Sequence, residues 1–391
     1  MAHDILFSSN VNLLRKLTAL VLIVLLLMSY PLWLTDRSFP FAPVFYSLPN
    51  LPFWFGYFAL GLFLVLLLFV SFLKKATVPI FIFLTLFFLY VLFDYNRIQV
   101  YYIQFAIMLG GLGIAEYFQS KNDKNIESDE MLNGIRLLFI FCYFYSGLYK
   151  ANPSFYQSVI PWFIEPFSKP FGISVIPTWV GVSVALFELF GGIFLAINPL
   201  RRIGVVMVVF IHLFILACIG PFGHNWNLIT WPWNVFMALF SIMLFWNFKG
   251  NVIGKLYPSV STQFKITLFV FAGLLPLLFA KGKYDSFFSF DLYSGKTKLG
   301  VIYLSEPQIE LLPPAVKPYL ISHPSKGQRK YLDLSLWGFG EMRTLPYPED
   351  RAFHKMHKDF SQRYFKQNKV GELVIYSHYS VWKAKQAIED N

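Results

Sequence analysis

PFWFGYFALGLFLVLLLFVSFL, residues 52–73, is an unbroken apolar run without a charged side chain, closed by Lys74 and Lys75. A helix rises 1.5 Å per residue, so a run of this length covers roughly the ~30 Å hydrocarbon core of a bilayer. In lipid no water is available to bond a free backbone N–H or C=O, which leaves the helix as the spanning structure for such a segment.

The same pattern repeats on either side. Apolar runs fall at 17–34, 77–93, 98–117, 135–151, 179–198, 203–221, 231–248 and 264–280. Counted with 52–73 they predict an all-α polytopic bundle of about nine transmembrane helices. Composition agrees with this. The 391 residues are 56% hydrophobic and only 14% charged, and 45 of them are Phe, whereas soluble chains carry about a quarter charged residues. Ordinary charge density returns only beyond residue 281. The chain therefore divides into a transmembrane bundle, 1–280, and a small α+β extramembrane domain, 281–391. The run from Leu17 to Trp33 has no small-residue cleavage site after it and reads as a retained span.

Basic residues orient the bundle. Arg15, Lys16, Lys74, Lys75, Lys121, Lys124, Arg136, Arg201, Arg202, Lys249, Lys255 and Lys265 fall on one side of nine crossings. The opposite loops carry chiefly Arg37, Arg97, Lys150 and Lys169. The positive-inside rule then puts the N-terminus in the cytoplasm and the C-terminal domain outside an inner (plasma) membrane, in the periplasm of a Gram-negative cell. The net charge of +11 is largely this loop charge, and no nucleic-acid partner is expected.

The segment from Asn152 to Thr178 is rich in Pro, Phe and Trp, which suits a short helix lying in the outer interface. In the C-terminal part, FFSFDLYSGKTKLGVIYLS (287–305) alternates as a hairpin turning near Ser294-Gly295. GELVIYSHYSVW (371–382) reads as another strand. PEDRAFHKMHKDFSQRYF (348–365) reads as a helix, acidic at its start and basic later.

Ionisable residues within spans face a bundle interior or cavity. Glu188 and His212 lie near the middle of neighbouring spans joined by a short turn at Arg201. They could meet and carry a proton between them, or serve only as polar glue between helices. Lys150 ends the fifth span, with Ser146 and Cys142 at helical spacing on its face. In an apolar outer pocket it would act as a base; the plainer reading is a lysine reaching for headgroups. The loop GPFGHNWNLITWPWN (220–234) sets His224, Asn225, Asn227 and Asn234 among Trp226, Trp231 and Trp233. An interfacial aromatic belt explains the tryptophans but not the His and Asn residues, so this loop reads as a binding element. Lys150, the 152–178 segment and this loop emerge on one face, and that convergence is the site signal.

Cys142 and Cys218 lie inside apolar runs with no CxxC spacing, so neither a disulfide framework nor a metal site is expected. His354 and His357, three apart, are too few for one. P-loop, HExxH, GxSxG and dinucleotide fingerprints do not occur.

YFYSGLYKANPSF (143–155), ELFGG (188–192), HLFIL (212–216) and HNWNLITWPWN (224–234), with SFDLYSG (289–295) and LPYPEDR (345–351), resemble the bacterial horizontally transferred transmembrane domain family. That family is related to the vitamin K-dependent gamma-carboxylases. The resemblance implies that Lys150, in SGLYK, is a base acting on a reduced quinone. The carboxylase has two consecutive lysines where this chain has Tyr149-Lys150, and the large luminal region that holds its protein substrate has no counterpart. The implied substrate or cofactor is therefore a quinone, quinol or lipid. Two functions stand side by side. One is a carboxylase-like or redox-linked membrane enzyme, with Lys150 as base, Glu188 and His212 moving protons or ordering the pocket, and His224, Asn225, Trp226, Asn227, Trp231 and Asn234 binding. The other is a non-enzymatic anchor or accessory subunit of an envelope complex, with a protein partner at the outer face.

Overall fold

The computed structural model describes residues 10–119, 125–322, 330–365 and 371–376. The chain is mostly helical, with one small antiparallel sheet. It forms two compact units. One holds Met1–Leu25, Phe63–Leu86 and Val100–Ser294; the other holds Leu26–Leu62, Phe87–Gln99 and Gly295–Asn391.

The apolar runs become helices α1 (Val11–Met28), α2 (Phe53–Phe72), α3 (Thr77–Val91), α4 (Val100–Gln119) and α5 (Asn125–Lys150). After the short α6 (Ile160–Ser168) come α7 (Thr178–Ala196), α8 (Arg201–Ile219), α9 (Thr230–Phe245) and α10 (Val260–Leu268), the last continuing in irregular helix to Lys281. Six of these stretches are long and apolar enough to cross a membrane: α1, α2, α5, α7, α8 and the 260–281 stretch. The anticipated count of nine is therefore supported only in part. Helices α3 and α9 are shorter, and in α4 Gln104, Glu116, Gln119 and several glycines dilute the apolar run. Much of the apolar surface points outward: in α2 alone Phe53, Phe58, Phe69 and Phe72 are exposed. Such a surface suits lipid and not water.

Helix α5 is the hub of the first unit. It is 78% buried along its apolar window, against 33% for α7 and 44% for α8, and it packs on α4, α7, α9 and α10. Glycines set the approach to α7. A Cβ on Gly147 would lie 2.3 Å from the Leu189 backbone N, and one on Gly192 would lie 2.7 Å from that of Phe144. Small residues let helix backbones close up where lipid gives no hydrophobic push.

Beyond α10 the helix widens at Phe269–Leu274 and tightens at Leu275–Lys281 around Pro276. The displaced carbonyls of Gly273 and Pro276 accept from the Tyr145 and Tyr149 hydroxyls of α5. An irregular helix is tolerated at membrane depth when neighbours satisfy its backbone in this way. The 152–178 segment does contain the short helix anticipated for it. A wide turn at Phe155–Val159 runs into α6, then Lys169–Phe171 and the left-handed Gly172 end it.

The second unit carries the sheet, in order β2 (Leu320–Ser322), β3 (Lys330–Asp333), β1 (Leu299–Leu304), β4 (Glu372–Tyr376), all antiparallel. Val301, Tyr303 and Tyr331 form its core. The expected hairpin at Ser294-Gly295 does not form. Phe287–Ser289 is a helical turn, Phe290 and Tyr293 take left-handed backbone, and β1 pairs with β3 and β4 instead. The anticipated helix is α12 (Asp350–Phe365), preceded by α11 (Leu334–Met342). The anticipated last strand is β4 as far as Tyr376; residues 377–382 of that reading lie outside the described residues.

These C-terminal elements grip the connections that follow α1 and α3. Glu341 accepts from Ser38 N and Oγ, and Asp359 from Phe41 N at 2.8 Å. Lys355 Nζ donates to Pro43 O and Val44 O at 2.6 Å each. Tyr347 N donates to Asn96 Oδ1 at 3.0 Å. Arg37 and Asp94 pair in the interior of the same unit.

Candidate functional site

Two polar stripes converge in the first unit. On α5, Tyr143, Ser146 and Lys150 fall at i, i+3 and i+7; on α9, Asn234, Met237 and Ser241 repeat that spacing. Such positions share a helix face. With Glu188 from α7 and His212 from α8, all but Ser241 line one narrow cavity of about 50 Å³. That is room for a few waters, each needing roughly 10–15 Å³ of such space. Phe155, Ile160, Phe163 and Trp233 make much of the apolar wall.

One wall is an ion pair. Lys150 Nζ lies 2.9 Å from Glu188 Oε2, with both side chains under 10% exposed, and Nζ also donates to Ser146 Oγ. The Gly147 and Gly192 contacts allow the helices to approach closely enough for this pair. The other wall is a hydrogen-bonded chain. His212 Nδ1 is 2.8 Å from Asn234 Oδ1, and Nε2 is 2.9 Å from the Tyr143 hydroxyl. Tyr143 reaches Ser241 Oγ at 2.8 Å. Glu188 and His212 thus share the cavity, but each takes a different partner from the one anticipated. The short α7–α8 turn suggested a Glu188–His212 pair; the tight α5–α7 contact brings Lys150 to Glu188 instead.

The tryptophan loop contributes less to the cavity than its composition implies. Of its anticipated binding residues, Asn234 is in the lining, while His224, Asn225, Trp226, Asn227 and Trp231 are not. His224 stacks on Trp162, 4.2 Å between ring centres, and its Nε2 meets Trp162 O. Asn225 and Asn227 occupy left-handed backbone, φ 47° and 51°, a conformation in which Asn is enriched. Trp231 Nε1 donates to Trp226 O at 3.0 Å. Loop folding therefore explains most of the His and Asn content. Asn227 touches the site at one remove: its Nδ2 donates to the Tyr293 hydroxyl at 2.5 Å.

Tyr293 and Leu292 close the cavity from the segment after α10. Asn152 Nδ2 holds that segment through Ser294 O at 2.9 Å. The Tyr293 ring meets Phe163 edge-on at 5.3 Å, and burial pushes its phenol above the ordinary tyrosine range. Tyr143, Ser241 and Tyr293 are site residues that motif reading missed. The polar i, i+3, i+7 spacing on α5 could have found Tyr143; Ser241 shares its α9 face with Asn234 and the apolar Met237, and Tyr293 carries no such signal. Among the described residues no group of three His, Cys, Asp or Glu is placed to hold a metal. No family model, curated protein or solved structure matches this chain.

Proposed function

We propose that the chain is an integral membrane enzyme that exchanges a proton with a hydrophobic substrate or cofactor, a quinone, quinol or lipid, in this cavity. The observation that carries the reading is the pairing of unlike groups in one apolar pocket. A buried Lys150–Glu188 pair faces a buried His212 held by Tyr143 and Asn234. Structural glue needs only one such contact, whereas two separate acid–base groups around one space suit proton exchange.

As found, Lys150 Nζ is a donor to two oxygens. To act as a base, as the resemblance to gamma-carboxylases suggests, it first hands a proton to Glu188. One N–H bond breaks, one O–H forms, and a neutral amine faces a neutral acid. The narrow cavity admits a ring only if its walls part, and the lining that no spanning helix fixes is Leu292 and Tyr293 with Phe155, Ile160 and Phe163 of the 152–178 segment. We place the N-terminus in the cytoplasm and the C-terminal domain outside, in an inner membrane. An odd number of crossings is supported by the contacts of Glu341, Lys355 and Asp359 with residues 38–44 and of Tyr347 with Asn96, since these tie the C-terminal elements to the connections that follow α1 and α3.

One observation favours the accessory-subunit reading: every polar group named in the two walls already has an internal partner. Purification in nanodiscs followed by solvent extraction separates the two. Stoichiometric quinone or a specific lipid that disappears in Lys150→Ala and His212→Ala supports the enzyme. An empty pocket with a stoichiometric protein partner supports the accessory role and overturns the proposal.

A further inference from the structure

The hydrogen-bonded chain behind the cavity can be checked by counting hydrogens. Both of its ends are acceptors. At one end Asn234 Nδ2 donates to Thr230 O at 2.7 Å. A carbonyl there demands the amide nitrogen, so Oδ1 faces His212 Nδ1 at 2.8 Å. His212 Nδ1 must therefore carry a hydrogen, a tautomer assigned from its partner. At the other end Ser241 Oγ lies 2.8 Å from Met237 O, again an acceptor only.

Four contacts link these ends: Nδ1 to Asn234, Nε2 to Tyr143 at 2.9 Å, Tyr143 to Ser241 at 2.8 Å, and Ser241 to Met237. Neutral His212, Tyr143 and Ser241 bring one hydrogen each. Three hydrogens cannot fill four contacts, so one pair of lone pairs is left facing at hydrogen-bond distance. An imidazolium supplies the fourth.

We infer that His212, Tyr143 and Ser241 form a proton-accepting relay at the edge of the cavity, one hydrogen short when His212 is neutral and complete when it takes a proton from a bound O–H acid. This rests on the proton-exchange reading above and adds Tyr143 to it as the group that receives the proton and Ser241 as a positioning residue.

The step balances. The acid's O–H bond breaks, its electron pair stays on the substrate oxygen, and the proton joins the Tyr143 oxygen. Tyr143 passes its own hydrogen to Nε2, and the new O–H turns to Ser241. Nε2–H then points at Tyr143, Tyr143 at Ser241, and Ser241 at Met237 O. The titratable groups that line the cavity with His212 are Cys142, Tyr143 and Lys150 from α5, Glu188 from α7 and Tyr293 from the 292–294 segment. Helix α9 presents Asn234 and Ser241 and no charge. Lys150 and Glu188 offset one another, so the hydrogen count distinguishes the two states of the relay.

The test needs neither substrate nor activity. Protein labelled with ¹⁵N-histidine is placed in nanodiscs, and the His212 ring signals are assigned by their loss in His212→Asn. The relay requires the Nδ1–H tautomer in the neutral ring. It also requires that Ser241→Ala, which cuts the four contacts to two, both filled by the hydrogens of neutral His212 and Tyr143, lower the ratio of doubly protonated to neutral ring at a fixed pH. The expected drop is about five-fold, the equivalent of one net hydrogen bond. Tyr143→Phe should act in the same direction and serves if Ser241→Ala does not fold. An Nε2–H tautomer, or an unchanged ratio in either folded variant, overturns the relay. Such a failure leaves the quinone-extraction result standing, and an empty pocket leaves the tautomer standing, so the two proposals fail separately.

Discussion

Lys150 Nζ and Glu188 Oε2 meet at 2.9 Å in the interior of the first unit, brought there by helices α5 and α7. A buried pair adds little over apolar residues of the same shape, yet breaking it leaves a charge without its partner. Lys150→Met should destabilise the protein by about 3–5 kcal/mol, read from unfolding in mixed micelles. Lys150→Met with Glu188→Leu should recover most of that. A double variant no more stable than the single would mean that the pair is not the energetic unit.

The pair depends on close helix packing. Gly147→Ala places a methyl where the Leu189 backbone N stands 2.3 Å away. Overpacking of this kind costs typically 1–3 kcal/mol, about as much as a lost core contact. Gly61→Ala, with nothing within 4 Å of the added carbon, is the control and should not destabilise, since Ala is the better helix former. Equal effects at both positions in the same unfolding assay would show that α5 and α7 do not touch as described.

Sequence made the helices legible because lipid enforces one rule over about twenty residues at a time. Six of the nine runs are helices long and apolar enough to cross. The site was legible residue by residue but not in its pairing. Lys150, Glu188 and His212 stood out as polar groups in apolar runs and Asn234 as a member of the tryptophan loop, and all four line the cavity. Which partner each takes depends on helix contacts between elements distant in sequence, and Gly147 and Gly192 signal these only after the helices are packed. The hairpin at Ser294-Gly295 failed for a related reason. Alternation marks a strand, yet Phe290 and Tyr293 adopt left-handed backbone, and nothing in their side chains announces it.

The sheet of the second unit should be sensitive to alkali. Burial pushes up the Tyr331 phenol and that of Tyr303, whose hydroxyl also bonds Tyr376 at 2.8 Å. A phenol whose folded value exceeds its unfolded one, about 10, contributes stability below that pH and loses it as pH rises through the folded value. The sheet signal in circular dichroism should therefore fall above about pH 10 together with the rise of phenolate absorbance. Tyr303→Phe should move the transition to higher pH. A transition that stays in place would assign it to other tyrosines.

Sidedness can be tested because the native thiols are out of reach: Cys142 is 5% exposed and Cys218 is fully buried. Phe45, after α1, and Phe222, after α8, are 55% and 89% exposed. Leu256, after α9, is 65% exposed. Nine crossings with a cytoplasmic N-terminus put Phe45 and Phe222 outside and Leu256 inside. A membrane-impermeant maleimide on intact spheroplasts should thus label Phe45→Cys and Phe222→Cys at once, and Leu256→Cys only after permeabilisation. Helix α4 is the weak point: it has 20 residues, yet its Gln and Glu residues keep it out of the set apolar enough to cross. If α4 does not cross, every later loop changes side, and Phe45→Cys and Phe222→Cys label from opposite faces. The C-terminus would then emerge opposite the connections after α1 and α3. That outcome conflicts with the grip of Glu341, Lys355 and Asp359 on residues 38–44, so it would refute both the odd crossing count and the outward placement of the C-terminal domain.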